Sequence, residues 1–292
     1  MAITNTTTQA SIVTAEFISA ARVAARGASM FAPGGPGRTI TGIVDVVNMK
    51  GKGSTVNSWP ISNYYAAVNI AEGDNATASQ AYTPTDNVAT VSEIVAIETM
   101  TRLSMETAAE ASIARASRML GVAIGEKIDT DILALNTSLD SDSGSSAAAA
   151  TYTLLTGAIR TLDTARYTGP YNAILHPYQY HNLVNQGTST LSQASGVVAD
   201  DFVTNYTRYN NIGGMSSLLV SARVPNDAGA INHSGAIFSS WPAYGLAELW
   251  WGDVEQERDA SARATEIVIT SCYGIVEIDG DAAEAFETGV AS

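Results

Sequence analysis

Apolar residues recur at Met105, Ala109, Ile113, Ala116, Leu120, Ile124, Ile128 and Leu135. Spacings of three, four and seven lay them in one stripe along a helix. Glu106, Glu110, Arg115, Arg118, Glu126 and Lys127 fall mostly off that stripe. The pattern predicts a single helix over Ser104–Leu135, about 48 Å long. Globular helices average about 11–12 residues, so this one exceeds what a small globule needs.

Ahead of it the period changes to that of strands. Thr39–Met49 is β-branched, and Ser54–Tyr65 is a second extended run containing Trp59-Pro60. The proline argues against an interior strand position. Glu72–Asp86 is polar, with Gly73 and Pro84, and reads as a loop tip; Val88–Met100 returns as a strand. Such a two-stranded excursion is marginal alone in water, so it should lie against something. Upstream, residues 1–12 are polar. Thr14 is placed to cap a helix across Ala15–Ser29, with Phe17, Ile18, Ala21, Val23 and Ala25 as its apolar residues. Pro33-Gly34-Gly35-Pro36-Gly37 breaks regular structure.

Downstream, Asp140–Ala150 reads as a Ser/Gly/Ala linker. Thr151–Tyr167 is an amphipathic helix with Leu154, Leu155, Ala158, Ile159 and Leu162 on one face, ended by Gly169-Pro170. Tyr171–Leu175 reads as a strand, and Pro177 opens a helix to Gln186 with Gly187 as its stop. A helix over Val197–Tyr206, a turn at Gly213-Gly214 and strands over Leu218–Val224 and Gly235–Ser240 follow. Glu248–Val254 and Glu266–Asp279 form a closing antiparallel pair. Helices and strands mix without a βαβ rhythm, so the class is α+β.

Charge sharpens the picture. Between Lys52 and Arg102 there is no Lys or Arg, yet Glu72, Asp74, Asp86, Glu93 and Glu98 lie there. The 292-residue chain carries 15 basic and 29 acidic residues, a net charge of −14. That disfavours a basic nucleic-acid-binding module. Residues 1–55 hold Arg22, Arg26, Arg38, Lys50 and Lys52 against Glu16 and Asp45. Residues 248–292 hold eleven acids against Arg258 and Arg263. Ends of opposite sign can attract between copies.

Candidate chemistry is thin. Cys272 is the only cysteine and sits in an apolar run, where a buried structural thiol is expected. His176 and His181 lack the i, i+4 spacing of a helical metal pair, and His176 reads as a turn residue before Pro177. Gly51-Lys52-Gly53-Ser54 is not a phosphate loop. Asp129/Asp131 and Asp200/Asp201 read as solvated faces, and Trp241, Trp250 and Trp251 as core or interface residues. The N-terminus lacks the pattern of a signal peptide, and no run of 18 apolar residues marks a membrane span.

The order of these parts resembles the major capsid protein of tailed double-stranded DNA phages, the Johnson or Hong Kong 97-like fold. Thr14–Gly37 is similar to the family's N-terminal arm, Val46–Met100 to its extended loop and Ser104–Leu135 to its spine helix. Tyr171-Asn172-Ala173-Ile174-Leu175-His176-Pro177-Tyr178 resembles the step into the axial domain. Leu218–Pro225 with Gly235–Phe238, and Glu266–Asp279 with Ala285-Phe286, resemble later strands.

The resemblance divides the chain into 1–38 (arm), 39–103 (extended loop), 104–168 (peripheral domain with the spine helix), 169–245 (axial domain) and 246–292 (closing strands returning to the peripheral domain). It implies a bacteriophage structural protein, not an enzyme, with no cofactor and no metal. The protein would self-assemble into hexamers and pentamers of an icosahedral capsid around double-stranded DNA held without sequence recognition. Portal and scaffolding proteins are the implied partners, with no membrane. The location is the virion, and the host cytoplasm during assembly. Some relatives cross-link through a loop lysine, and none stands between Gly53 and Thr101 here. Trp59, Tyr64, Tyr65 and Tyr82 are the expected subunit-interface anchors, with Arg22, Arg26 and Arg38 as cations for the acidic loop of another copy. The alternatives are an encapsulin-type compartment shell and a surface-layer or adhesin-like protein.

Overall fold

A computed structural model describes residues 29–61, 69, 72, 84–101, 103, 110–145, 148–194, 215–226 and 232–289. The helix expected before Ser29, the one over Val197–Tyr206, the Gly213-Gly214 turn and most of the Glu72–Asp86 tip lie outside these residues.

The chain first makes one helical turn, α1 (Pro36–Thr39). The sequence suggested a plain break here, but Pro36 at the first helical position has its φ preset and lacks an N–H that would be unsatisfied anyway. Strand β1 (Val44–Asn48) follows, then β2 (Val56–Ile61) and β3 (Thr85–Thr90). The latter two form a two-stranded ribbon with Val56 opposite Thr90 and Ile61 opposite Thr85. Pro60 therefore sits on an open ribbon, as its missing N–H requires.

The single strand expected over Val88–Met100 is two. After β3 the chain bends at Val91 and continues as β4 (Ser92–Thr101), which joins a different sheet. That sheet has the order β1-β9-β10-β4, with β9 (Tyr244–Asp259) and β10 (Ala264–Glu277) as its long antiparallel centre. Gly274 of β10 explains the bend: a Cβ there would stand 2.4 Å from the carbonyl oxygen of Thr90. Only a bare backbone lets the ribbon cross β10 so closely.

Helix α2 (Glu110–Ala134) packs on one face of this sheet; its 25 residues are about 38 Å long. Leu120 and Ile124 meet Met100 and Ile269 in a small apolar cluster, while Ile128, Ile132 and Leu133 enter the main core. Residues 104–109, also expected in the helix, lie outside the described ones.

The second sheet has the order β5-β11-β8-β6-β7. It comprises β5 (Asp142–Ser145), β6 (Tyr171–Leu175), β7 (Met215–Val220), β8 (His233–Phe238) and β11 (Ala283–Thr288). Strand β5 lies in the stretch read as a linker. Gly144, at φ +116 and with the Glu287 carbonyl oxygen 2.0 Å from where a Cβ would be, lets it run parallel beside β11. Helix α3 (Tyr152–Thr164) begins where Thr151 accepts a hydrogen bond from the Leu154 amide. It buries Leu155, Ala158, Ile159 and Leu162. Helix α4 (Pro177–Ala194) runs past Gly187, the expected stop. Phe31, Phe238, Tyr244 and Phe286 are fully buried in the core these elements share.

One buried carboxylate ties Ser29–Phe31 to the long helix. Asp129 of α2, read from sequence as solvated, is 1% exposed. It accepts from Ser29 Oγ at 2.6 Å, from the Met30 amide at 2.9 Å and from the Phe31 amide at 3.1 Å. Burial pushes its carboxyl above the usual carboxylate range, against the opposing pull of Ser29, the two amides and the Arg223 charge. Replacing Asp129 by Ala orphans these donors and is expected to cost about 3 kcal/mol, with Asp129→Asn in between. Urea unfolding of dissociated protomers reads both, and a midpoint unchanged in Asp129→Ala would show that Ser29–Phe31 is held by packing alone.

Candidate assembly interface

The ribbon β2–β3 has two distinct faces because side chains alternate. Asn57, Trp59, Ile61, Asn87 and Ala89 share one face by register, and Val56, Ser58, Pro60, Asp86 and Val88 the other. The first face is closed by the protomer itself. Trp59 is 9% exposed and packs with Met49, Ala89, Val91, Ala247 and Cys272. Its Nε1 donates to Asp45 Oδ2 at 2.8 Å, and its ring lies on Gly245, where a Cβ would approach to 3.0 Å. Asn87 Nδ2 donates to the Ile278 carbonyl at 2.6 Å. The opposite face is open, with Val56 44% and Val88 47% exposed.

Of the residues expected at a subunit interface, Trp59 and Arg38 are described. Both have intrachain partners. Arg38 forms an ion pair with Glu248 of β9, both side chains being mostly buried. They fix the ribbon and α1 against β9. Tyr64, Tyr65, Tyr82, Arg22 and Arg26 lie outside the described residues. The exposed apolar residues Val56 and Val88, and Val95 and Ile97 on β4, were not singled out from sequence. Only Val56 stands between polar residues, and Val95 and Ile97 lie in the apolar run Ile94–Ile97, so periodicity gave no signal for which face they take.

Cys272 is buried, and burial first, then the Glu93 charge, pushes its thiol above the ordinary range. Among the described residues no group of three or more His, Cys, Asp or Glu side chains is set to hold a metal ion. No helix among them is long and apolar enough to cross a membrane.

The histidines form an arrangement the sequence concealed. His176 is the N-cap of α4: its Nδ1 accepts from the Tyr178 amide at 3.2 Å. Gln179, three residues on, closes a capping box by accepting from the His176 amide at 2.9 Å. The Gln179 Nε2 then donates to the His233 carbonyl at 2.8 Å and the Phe286 carbonyl at 2.7 Å. The ring of His233, across on β8, stacks on His176 with centroids 3.7 Å apart. Its buried Nδ1 has no hydrogen-bond partner among the described residues. Burial, then the neighbouring His233, lowers His176 to about 4, and burial lowers His233.

No protein-family model matches the sequence, and no curated protein does. Solved structures do match. A structure titled Mycobacterium phage Che8 superposes with a TM-score of 0.66 at 14% identity, covering 82% of this chain and 88% of the other. The capsid of cyanophage P-SCSP1u gives 0.61 at 16% identity, covering 86% and 89%. A virus-like particle from Pyrococcus furiosus gives 0.56 at 10% identity, covering 93% and 97%. These neighbours define the class of the fold. The chain has the Hong Kong 97-like capsid fold, an α+β architecture in which a long helix backs a sheet and a ribbon projects beside it.

The histidine pair predicts a pH dependence. Both imidazoles are held neutral in the folded chain, whereas an unfolded chain protonates them near pH 6.5. The unfolded state therefore binds more protons in this window, so stability falls as pH drops from about 6.5 towards 4. His176→Asn keeps a side chain suited to an N-cap and removes that titration. Its unfolding midpoint should match wild type at pH 7 and exceed it at pH 5. Equal midpoints at pH 5 would exclude the pair as the cause.

Proposed function

We propose that the chain is the major capsid protein of a tailed double-stranded DNA phage, closing into an icosahedral shell of hexamers and pentamers. The observation that carries this reading is the ribbon, set on a capsid fold. Its base is fastened to the protomer through Trp59, Asn87 and Gly274, while Val56 and Val88 stay exposed on its other face. An isolated two-stranded ribbon gains little stability in water, so contacts from a neighbouring copy complete it. Tyr64, Tyr65 and Tyr82 on the intervening segment are proposed anchors, because large aromatics dominate interface energetics. Arg22 and Arg26 supply cations, and Trp59 and Arg38 support the contact from within the protomer.

The net charge of −14 fits a container for DNA. A wall poor in cations makes few phosphate contacts, so the packaged genome is not trapped on it. The segments 1–38, 39–103, 104–168, 169–245 and 246–292 are taken as arm, loop, peripheral domain, axial domain and closing strands. A portal and a scaffold are the proposed partners in a non-enzymatic assembly, located in the virion and, before that, in the host cytoplasm. The second reading, an encapsulin-type compartment, is favoured by the nearly full-length likeness to the Pyrococcus furiosus particle.

Negative-stain microscopy of the purified protein should show closed shells of uniform size. DNA and a portal vertex in particles from infected cells distinguish phage head from compartment, and monomers alone under folding conditions refute both. Deleting Ala67–Thr85 should leave folded protomers that no longer build regular shells. If charge pairs between copies matter, thermal stability of shells should fall as the screening length shortens from about 10 Å at 0.1 M salt to about 3 Å at 1 M. A steady rise with salt would mean that apolar contacts govern.

A further inference from the structure

Helix α4 begins on a capping group that is sensitive to protons. Ser, Thr, Asp and Asn are the usual N-caps, and their oxygens accept a hydrogen bond at any pH near neutral. Here the acceptor is His176 Nδ1, which takes the Tyr178 amide at 3.2 Å. An imidazole nitrogen accepts only while it carries no hydrogen.

Three features oppose a proton on this pair. A hydrogen on His176 Nδ1 would face the Tyr178 N–H, donor against donor. The His233 ring lies 3.7 Å away and 7° from parallel, so a second proton would set two cations face to face. The Nδ1 of His233 is buried, with no partner among the described residues to receive a new N–H.

The titratable groups on the surrounding elements are engaged elsewhere. On β11, Glu287 stands opposite Ser234 and accepts from its Oγ at 3.5 Å, while Glu284 accepts from Ser141 and Ser143. Asp142 of β5 is in register with Ala285. Arg223, beyond β7, pairs with Glu126 of α2. On β6 Tyr171 donates to Asp163, and on α4 itself His181 meets Tyr180 edge-on. Besides burial, only His233 acts on His176, and burial alone acts on His233.

The pair is also where α4 is fastened to the sheet. Gln179 Oε1 accepts from the His176 amide, and its Nε2 donates to the His233 and Phe286 carbonyls. Gly235 of β8 makes room for this amide: a Cβ there would stand 2.6 Å from Gln179 Oε1. One turn further on, Leu183 and Val184 are buried. Cap, stack and amide thus join the first turn of α4 to β8 and β11, and they lose their geometry together. The strands pair without the helix: β6 lies between β7 and β8, and β8 between β6 and β11.

We propose that the His176–His233 stack is a proton-operated latch, which in mild acid frees the first turns of α4 from β8 while both sheets keep their fold. The opening is local, precedes unfolding of the chain and requires no neighbouring copy. A ring released by opening returns to an ordinary imidazole near 6.5, whereas the closed His176 is held to about 4. Between pH 7 and pH 5 this difference favours the open form by about 25-fold, and the partial exposure of His176 trims it to about tenfold. Burial raises the carboxyls of Asp129, Glu277 and Asp281. Those groups bind protons in the fold and act with the opposite sign.

Amide hydrogen exchange of the full-length protein, corrected for the intrinsic rate at each pH, tests the latch. Protection of the Tyr178–Val184 amides should fall about tenfold from pH 7 to pH 5, with that of β10 unchanged. His176→Asn keeps a cap without the titration, and its protection should stay constant over this range. Wild-type protection that does not change with pH overturns the proposal. So does a fall that His176→Asn leaves in place, which would trace it to another group, and so does a parallel loss in β10, which would make the event global. If His176→Asn fails to fold by circular dichroism, the titration of the His176 ring in the wild type decides, read by exchange of its C2 hydrogen. A ring that titrates together with the loss of protection supports the latch. A ring already protonated at pH 6 while α4 stays protected overturns it.

Discussion

The backbone of β3 crosses the backbone of β10 at Gly274, and this close approach governs what the rest of the chain can do. A side chain there would collide with the Thr90 carbonyl. With none, the ribbon lies on the sheet, Trp59 seats on Gly245 and the chain turns at Val91 into β4. Where the ribbon lies also decides what it leaves bare. It covers the near end of the sheet face and leaves Val95 and Ile97 exposed at the far end.

The segment Ser29–Phe31 is held by a different kind of constraint. A carboxylate as buried as Asp129 is costly unless its lone pairs are filled. Ser29, Met30 and Phe31 fill them. The helix and the start of the described chain thus order each other. Asn136, just past the helix, repeats the idea: its amide donates to the Ser234 carbonyl and accepts from the Tyr244 hydroxyl, joining the helix end to both sheets. Buried polar groups, each satisfied, set the orientation between elements that apolar packing alone would leave loose.

Much of this was legible in the sequence. The long helix, α3, β6 and the β9–β10 pair follow from periodicity. The extended excursion was also visible, and its likeness to capsid folds was carried by the order of parts. What escaped depended on distant partners. No local residue announces the break at Val91, because the cause is a glycine on another strand. Strand β5 hid in a Ser/Gly stretch because its pairing is supplied by β11. Asp129 looked solvated because its donors lie far upstream in sequence. At the candidate interface, Trp59 was expected to contact another copy, and its seat inside the protomer depends on the bare surface at Gly245. The stacking of His176 on His233 is likewise a product of the fold.

Gln179 carries a consequence of another sort. Its amide sits fully buried between three strands, with the oxygen turned to the amide ending β6 and the nitrogen turned to carbonyls of β8 and β11. An amide is polar end to end, and both ends are in use. Slow hydrolysis to a carboxylate would put a negative oxygen against two carbonyl oxygens, with no water to separate them. The burial that shields this one amide from water is thus also a form of protection against chemical ageing.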